Sequence, residues 1–286
     1  MTPLRSNGES PPADAPPETR PFRRYAEATA AVALWIGIGL VFRLSDNAYL
    51  VTGIPIALGF QRFVRRTPLR AMWVRNAPPF RLGIGSAVIG LLLSIVPLIN
   101  LVGLIRSHQT PFRPADAVWL AAAVMGAWPA AYAIRSFTRE TFLQLWICLA
   151  TAGLAGCAIM TALAFLNGTT NQPLGSRVLT GLSTLALYIP VQFFVEEVWF
   201  RGILDSHLHR PGENRGVLSA IYGSALWGVW HYPISDSKDL VNLLITIGIS
   251  VAVGTLLARA WRRSGNLLVP VIAHALIDAF GSAIAG

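Results

Sequence analysis

Six ionisable residues in the last third of this 286-residue chain stand inside apolar runs: Glu196, Glu197, Arg201, His231, His274 and Asp278. An ionisable side chain at membrane depth costs at least a few kcal/mol, so each is a candidate for function until a structural partner accounts for it. In VQFFVEEVWFRGIL, Glu197 and Arg201 are spaced i, i+4 and can pair along one helix face. Glu196 then points about 100° away and is free for other work. Two adjacent carboxylates in a poor solvent repel each other, and different surroundings fit one of them to act as a general base. In SALWGVWHYP, His231 follows Trp227 by one turn. In LLVPVIAHALIDAF, His274 and Asp278 again share a face, where the acid can orient the imidazole or join it in binding an oxyanion.

The elements that must carry these groups are membrane helices. The chain is 53% hydrophobic and 13% charged, against roughly 25% charged in soluble domains. Its charges cluster between apolar runs of about 17 to 25 residues, the length a helix needs to cross hydrocarbon. Such runs lie near residues 26 to 43, 48 to 64, 82 to 105, 115 to 134, 141 to 166, 178 to 204, 217 to 234, 239 to 258 and 266 to 284. The fold class is therefore all-α, a polytopic transmembrane helical bundle with about eight to nine membrane-spanning helices. The second run contains Pro55 and is short, so a tilted or re-entrant element is its alternative.

The net charge of +9 suggests nucleic acid, but the basic residues are almost all Arg in short links, with Lys238 the only lysine. The positive-inside rule explains them better, and no nucleic-acid partner is expected. With the N-terminus in the cytoplasm, only Arg43, Arg106, Arg113, Arg177 and Lys238 of the 23 basic residues fall outside. The Arg-rich link from Arg62 to Arg81 reads as a topology determinant that also touches anionic lipid. Residues 1–24 read as a disordered cytoplasmic tail, residues 25–170 as N-terminal transmembrane helices, and residues 171–286 as the catalytic transmembrane core. Cys148 and Cys157 lie in one apolar run and make no metal or disulfide pattern.

Depth brings the candidates together. At 1.5 Å per residue from the basic ends of their segments, Glu196, His231 and His274 lie roughly 16, 24 and 17 Å in. The pattern resembles the CAAX protease and bacteriocin-processing family of intramembrane glutamic endopeptidases, also called the abortive-infection family. The resemblance covers roughly residues 180 to 285. It rests on EExxxR at Glu196, Glu197 and Arg201, an aromatic-xxx-His at Trp227 and His231, and Hxxx(N/D) at His274 and Asp278. The run SGNLLVPVIAHALIDA is similar to that family's last motif helix. Trp227 stands where Phe is usual, a change expected to affect packing alone. Asp278 stands where the eukaryotic prenyl-protein proteases carry Asn, which asks for a protonated Asp or for an acid that orients His274.

The resemblance implies hydrolysis of a peptide bond in a membrane-associated protein or peptide, by water activated by Glu196 and assisted by His231. Glu197 and Arg201 would support the site, and His274 with Asp278 would stabilise the oxyanion. No cofactor is expected. A zinc ion on Glu196, His231 and His274 is the alternative, but the HExxH spacing is absent. The expected location is a bacterial inner membrane.

Blander readings stand beside these. The carboxylates can be a structural ion-pair network, and each His an interhelical hydrogen-bonding residue. Asp205, His207 and His209 could hold a metal, and His108 reads as a solvated loop residue. At the level of the whole chain, the alternatives are a non-catalytic membrane scaffold or immunity protein of the same fold and a proton-coupled transporter. The missing internal repeat speaks against the transporter.

Overall fold

Each apolar run read from the sequence is helical over most of its described length in the computed structural model, which describes residues 21–75, 83–107, 114–167, 172–209, 216–235 and 237–285. The expected tail up to residue 20 and His108 lie outside the described residues. The elements are α1 (Pro21–Val41), α2 (Asp46–Gly59), α3 (Ile84–Arg106), α4 (Pro114–Arg135), α5 (Arg139–Cys148), α6 (Leu154–Asn167), α7 (Leu174–Gln192), α8 (Ser206–Leu208), α9 (Gly216–Trp230), α10 (Leu240–Ser264) and α11 (Leu268–Ala285). Wider π-helical turns continue α2 through Phe60–Val64, join α5 to α6 through Leu149–Gly153, and form Val198–Asp205 ahead of α8.

Among the described residues, six helices are long and apolar enough to cross a bilayer: Phe22–Val41, Ile84–Arg106, Pro114–Arg135, Arg139–Leu166, Leu174–Gln192 and Leu240–Ser264. A shorter apolar helix runs over Leu268–Ile284. This is a polytopic helical bundle and an integral membrane protein. The helix count by length is lower than the eight to nine expected, because α2 and α9 are short and the apolar helix Leu268–Ile284 also falls below that length. The ends of the helices nevertheless meet in alternation. Arg24 reaches the Leu208 carbonyl, Arg65 that of Gly202 and Arg75 that of Arg262 at one end of the bundle. Asn47 donates to Asp116, Tyr49 to the Trp230 carbonyl and Arg177 to that of Ala283 at the other. The second run thus reaches from one end to the other and does not turn back.

Outward faces are apolar, as lipid requires. On α3, Leu91, Leu92, Ile95, Leu98 and Ile99 are all exposed, while Ser94 is buried and donates to the Gly90 carbonyl. Two glycines let helices cross closely. A Cβ on Gly126 would strike the Pro190 carbonyl oxygen, which fixes α4 against α7. A Cβ on Gly228 would lie 2.6 Å from the Ile247 Cα, which fixes α9 against α10.

Local chemistry sets the helix ends nearest the site. The Asp239 carboxylate accepts from the Asn242 backbone N–H at 2.8 Å and caps α10. Gly265, with φ of 62°, ends that helix in the left-handed conformation, and Asn266 Oδ1 accepts from Leu268 N–H to start α11. The short segment Trp73–Arg75 clips this turn in place: Arg75 N–H donates to the Gly265 carbonyl and Leu267 N–H to that of Trp73.

The sixth run departs most from expectation. It was expected as one helix over 178 to 204, but it stops at Gln192, bends through Phe193–Glu197 and resumes as a π-helical segment. Pro190 has no N–H to give to the preceding turn, and the Phe193 carbonyl is taken up by the Trp73 indole N–H at 2.9 Å. Glu196 therefore sits on a bend and not in a straight helix. Wide turns of this kind recur at functional sites.

Candidate active site

Four elements converge on one polar cluster: the bend with its π segment, the end of α9, the middle of α11 and the last residue of α7. All six ionisable residues singled out in the sequence belong to it. Glu196 and Glu197 are neighbours in sequence but serve opposite sides of the cluster.

Glu196 faces α9. Its Oε1 accepts from the Trp227 indole N–H at 2.6 Å and lies 3.7 Å from His231 Nε2. That second distance is too long for a direct hydrogen bond. The His231 ring is fixed from its other side, where Nδ1 lies 2.8 Å from the Trp227 carbonyl oxygen. A carbonyl can only accept, so Nδ1 carries a hydrogen, and Nε2 is the nitrogen turned to Glu196. Both side chains keep some accessibility, 14% for Glu196 and 26% for His231, while the cluster around Glu197 is sealed.

Glu197 faces α11 and is completely buried. Its Oε1 accepts from His274 Nδ1 at 3.0 Å, and its Oε2 lies 3.4 Å from Arg201 Nε. The Arg201 guanidinium, 1% exposed, lies over the Trp227 ring at 4.5 Å from its centroid. One tryptophan thus contacts the general-base candidate with its N–H and the buried cation with its face.

Asp278 lies 3.6 Å from His274 Nε2, longer than the 3.0 Å to Glu197. Glu197, not Asp278, therefore holds the imidazole most closely, because the bend turns it toward α11. Trp227 also corrects an expectation: its place in the motif is more than packing, since Phe has no N–H to give to Glu196. The sequence reading missed Gln192 altogether. Its amide is buried and donates to Glu196 Oε2 at 3.5 Å and to Asp278 Oδ2 at 3.4 Å, linking the two halves of the cluster. An amide four residues before a carboxylate, within the apolar run YIPVQFFV, was the available signal.

The helices before residue 170 brace the His231 side. Tyr49 on α2 donates to the Trp230 carbonyl at 2.9 Å, and the Trp35 indole donates to the Tyr49 carbonyl at 2.9 Å. Trp35 meets Trp230 edge-on at 5.0 Å, and Trp230 meets the His231 ring at 5.0 Å. A cavity of about 210 Å³ opens beside the cluster. Trp227, His231, His274 and Asp278 give it a polar side, and Met160, Ile249, Val253 and Ile277 an apolar one.

Zinc does not fit this donor set. Both ring nitrogens of His274 face carboxylates of Glu197 and Asp278, leaving none for an ion shared with Glu196 and His231. Among the described residues no group of three or more His, Cys, Asp or Glu side chains is disposed to hold a metal ion. The Asp205, His207 and His209 cluster also disperses: Asp205 pairs with Arg262, and His207 lies 3.1 Å from Glu27. Both cysteines are free thiols.

Residues 178–280 match the family model described as type II CAAX prenyl endopeptidase, Rce1-like. The matched stretch runs from α7 into α11 and contains Gln192, Trp227 and all six ionisable residues. No curated protein and no solved structure matches.

Proposed function

From the premise that residues 178–280 form a domain of the type II CAAX prenyl endopeptidase family, and that the chain is at family level a membrane protease, we propose an intramembrane glutamic endopeptidase working without a metal. The observation that carries this reading is the 3.7 Å gap between Glu196 Oε1 and His231 Nε2. The gap is too wide for a direct bond and suited to one bridging water.

In this mechanism the Trp227 and Gln192 N–H groups hold the Glu196 carboxylate toward the water. Glu196 takes a proton from that water as its oxygen attacks the carbonyl carbon of the scissile amide. The C–N bond then breaks, and the proton passes to the leaving amine, with His231 relaying it. His274 keeps its Nδ1–H on Glu197 and turns Nε2–H from Asp278 to the developing oxyanion, a step that Asp278 can assist only in its protonated form, by donating its O–H. Arg201 compensates the buried Glu197 charge, so that Glu197 can orient His274 without itself reacting.

The catalytic core is residues 171–286, and residues 25–170 brace it through Trp35 and Tyr49. The substrate is a membrane-associated protein or peptide. The cavity beside the cluster, apolar on the side away from the catalytic groups, supports an extended apolar segment as its occupant. The tally of basic residues supports a cytoplasmic N-terminus, and the proposed location is a bacterial inner membrane. Comparative proteomics of membranes carrying wild-type protein or Glu196→Gln tests the function. A precursor that accumulates uncut in the variant is the expected outcome; identical proteomes with normal levels of the variant would refute it.

A further inference from the structure

We propose that the cytoplasmic-facing ends of α9 and α10 form a binding site for the phosphodiester headgroup of an anionic phospholipid. A cavity of about 390 Å³ lies there, within the range of roughly 300 to 1,000 Å³ that small-molecule sites occupy. It is far from the catalytic cluster, at the opposite end of α9 from His231.

Its lining combines two chemistries. His209, Arg259, Arg262 and Arg263 supply cationic and hydrogen-bonding groups, and Val217 and Leu218 form its rim, exposed by 53% and 62%. The Arg262 guanidinium is already committed. It makes paired contacts with the Asp205 carboxylate at 2.5 to 3.1 Å, and it donates to Ser219 and to the Gly216 carbonyl. Asp205 thus cancels its charge and Arg262 serves as a fixed floor, against which Gly216 and His209 close. Arg259 and Arg263 are exposed, and neither has a hydrogen-bond or ion-pair partner among the described residues. Two uncommitted guanidiniums over a rigid floor match a phosphate diester, which accepts several N–H donors at once.

The rim decides between a lipid and a free anion. Exposed aliphatic side chains beside a phosphate site gain nothing from inorganic phosphate, but they meet the acyl chains of a lipid whose headgroup occupies the cavity. Basic pockets between transmembrane helices on the cytoplasmic side bind anionic headgroups for this reason. The site is also tied to the catalytic segment, since Arg262 holds Asp205 and the Trp261 indole donates to Ser206, both at the end of the π segment that carries Arg201.

The test uses full-length protein reconstituted in mixed phosphatidylcholine and phosphatidylglycerol bilayers, extracted, and examined by native mass spectrometry for retained lipid. Wild-type protein should retain phosphatidylglycerol selectively, and Arg259→Gln/Arg263→Gln should lose that selectivity by roughly tenfold or more. Arg106→Gln/Arg139→Gln, which removes two exposed charges outside both this pocket and the Arg62–Arg81 link, should leave it intact. Absence of selectivity in the wild type, or an equal loss in both double variants, would overturn the proposal. So would displacement of the retained lipid by inorganic phosphate at matched concentration, which would assign the pocket to a free anion.

Discussion

The indole nitrogen of Trp227 lies 2.6 Å from Glu196 Oε1, and four residues later the His231 ring hangs from the Trp227 backbone carbonyl. One residue thus positions both groups that would handle the water. Trp227→Phe keeps an aromatic ring over Arg201 and removes the N–H. A hydrogen bond to a charged group is worth about 1.5 to 3 kcal/mol, so the melting temperature should fall by a few degrees, and loss of the group that aims Glu196 should lower turnover of the folded protein roughly 10- to 100-fold. Cleavage of the precursor identified by proteomics, measured beside thermal unfolding, separates this from a packing role, for which turnover would be unchanged.

The two adjacent carboxylates should respond differently to the same substitution. Glu196 is partly accessible, so Glu196→Gln should fold normally and lose cleavage. Glu197→Gln leaves the Arg201 cation buried without its counter-charge and removes the anchor of His274. Stranding one member of a buried pair costs about 3 to 5 kcal/mol, so this variant should be clearly less stable as well as inactive. Thermal melts of the two purified variants, side by side, check the contrast.

Gly126 lies where α4 meets the proline turn of α7. Gly126→Leu would drive a side chain into the Pro190 carbonyl and push away the helix end that carries Gln192 and the bend. Overpacking of this kind typically costs about 1 to 3 kcal/mol, seen as a melting temperature lower by several degrees. Gly37, whose surroundings are open, should tolerate the same change.

Acid should destabilise the end of the bundle formed by α1 and α8 through His207. Burial pushes its imidazole from the ordinary 6.5 down to about 4, against the pull of the neighbouring Glu27 carboxylate and with help from Arg65 and Arg24. The unfolded chain therefore takes up a proton that the folded one resists. Stability is complete above about 6.5 and is lost as the pH falls from there toward 4. In His207→Gln, melting temperatures across this window should vary less with pH than in the wild type.

How much of this was legible in the sequence depended on what lipid makes conspicuous. Glu196, Glu197, Arg201, His231, His274 and Asp278 stood out because charge is rare in apolar runs, and all six meet in one cluster. The bend at Phe193–Glu197 did not stand out. Pro55, Pro97 and Pro129 lie inside α2, α3 and α4 without ending them, so Pro190 carried no special signal. What stops α7 is the Trp73 indole on the Phe193 carbonyl, a contact spanning 120 residues that no local pattern encodes. The bend in turn gave Glu197 to His274, where helical spacing alone offered Asp278. Gln192 was overlooked because an amide is a weaker signal than a charge, although burying one also demands partners.

The most direct measurement of the central claim is cleavage of the identified precursor by purified protein in ¹⁸O-labelled water, with wild type and Glu196→Gln compared in the presence and absence of a zinc chelator. Wild-type protein should place one labelled oxygen in the new carboxyl terminus and be indifferent to the chelator, and Glu196→Gln should form no product. Undiminished labelling by Glu196→Gln, or loss of wild-type cleavage to the chelator with recovery on added zinc, would contradict water activation by Glu196 in a metal-free site.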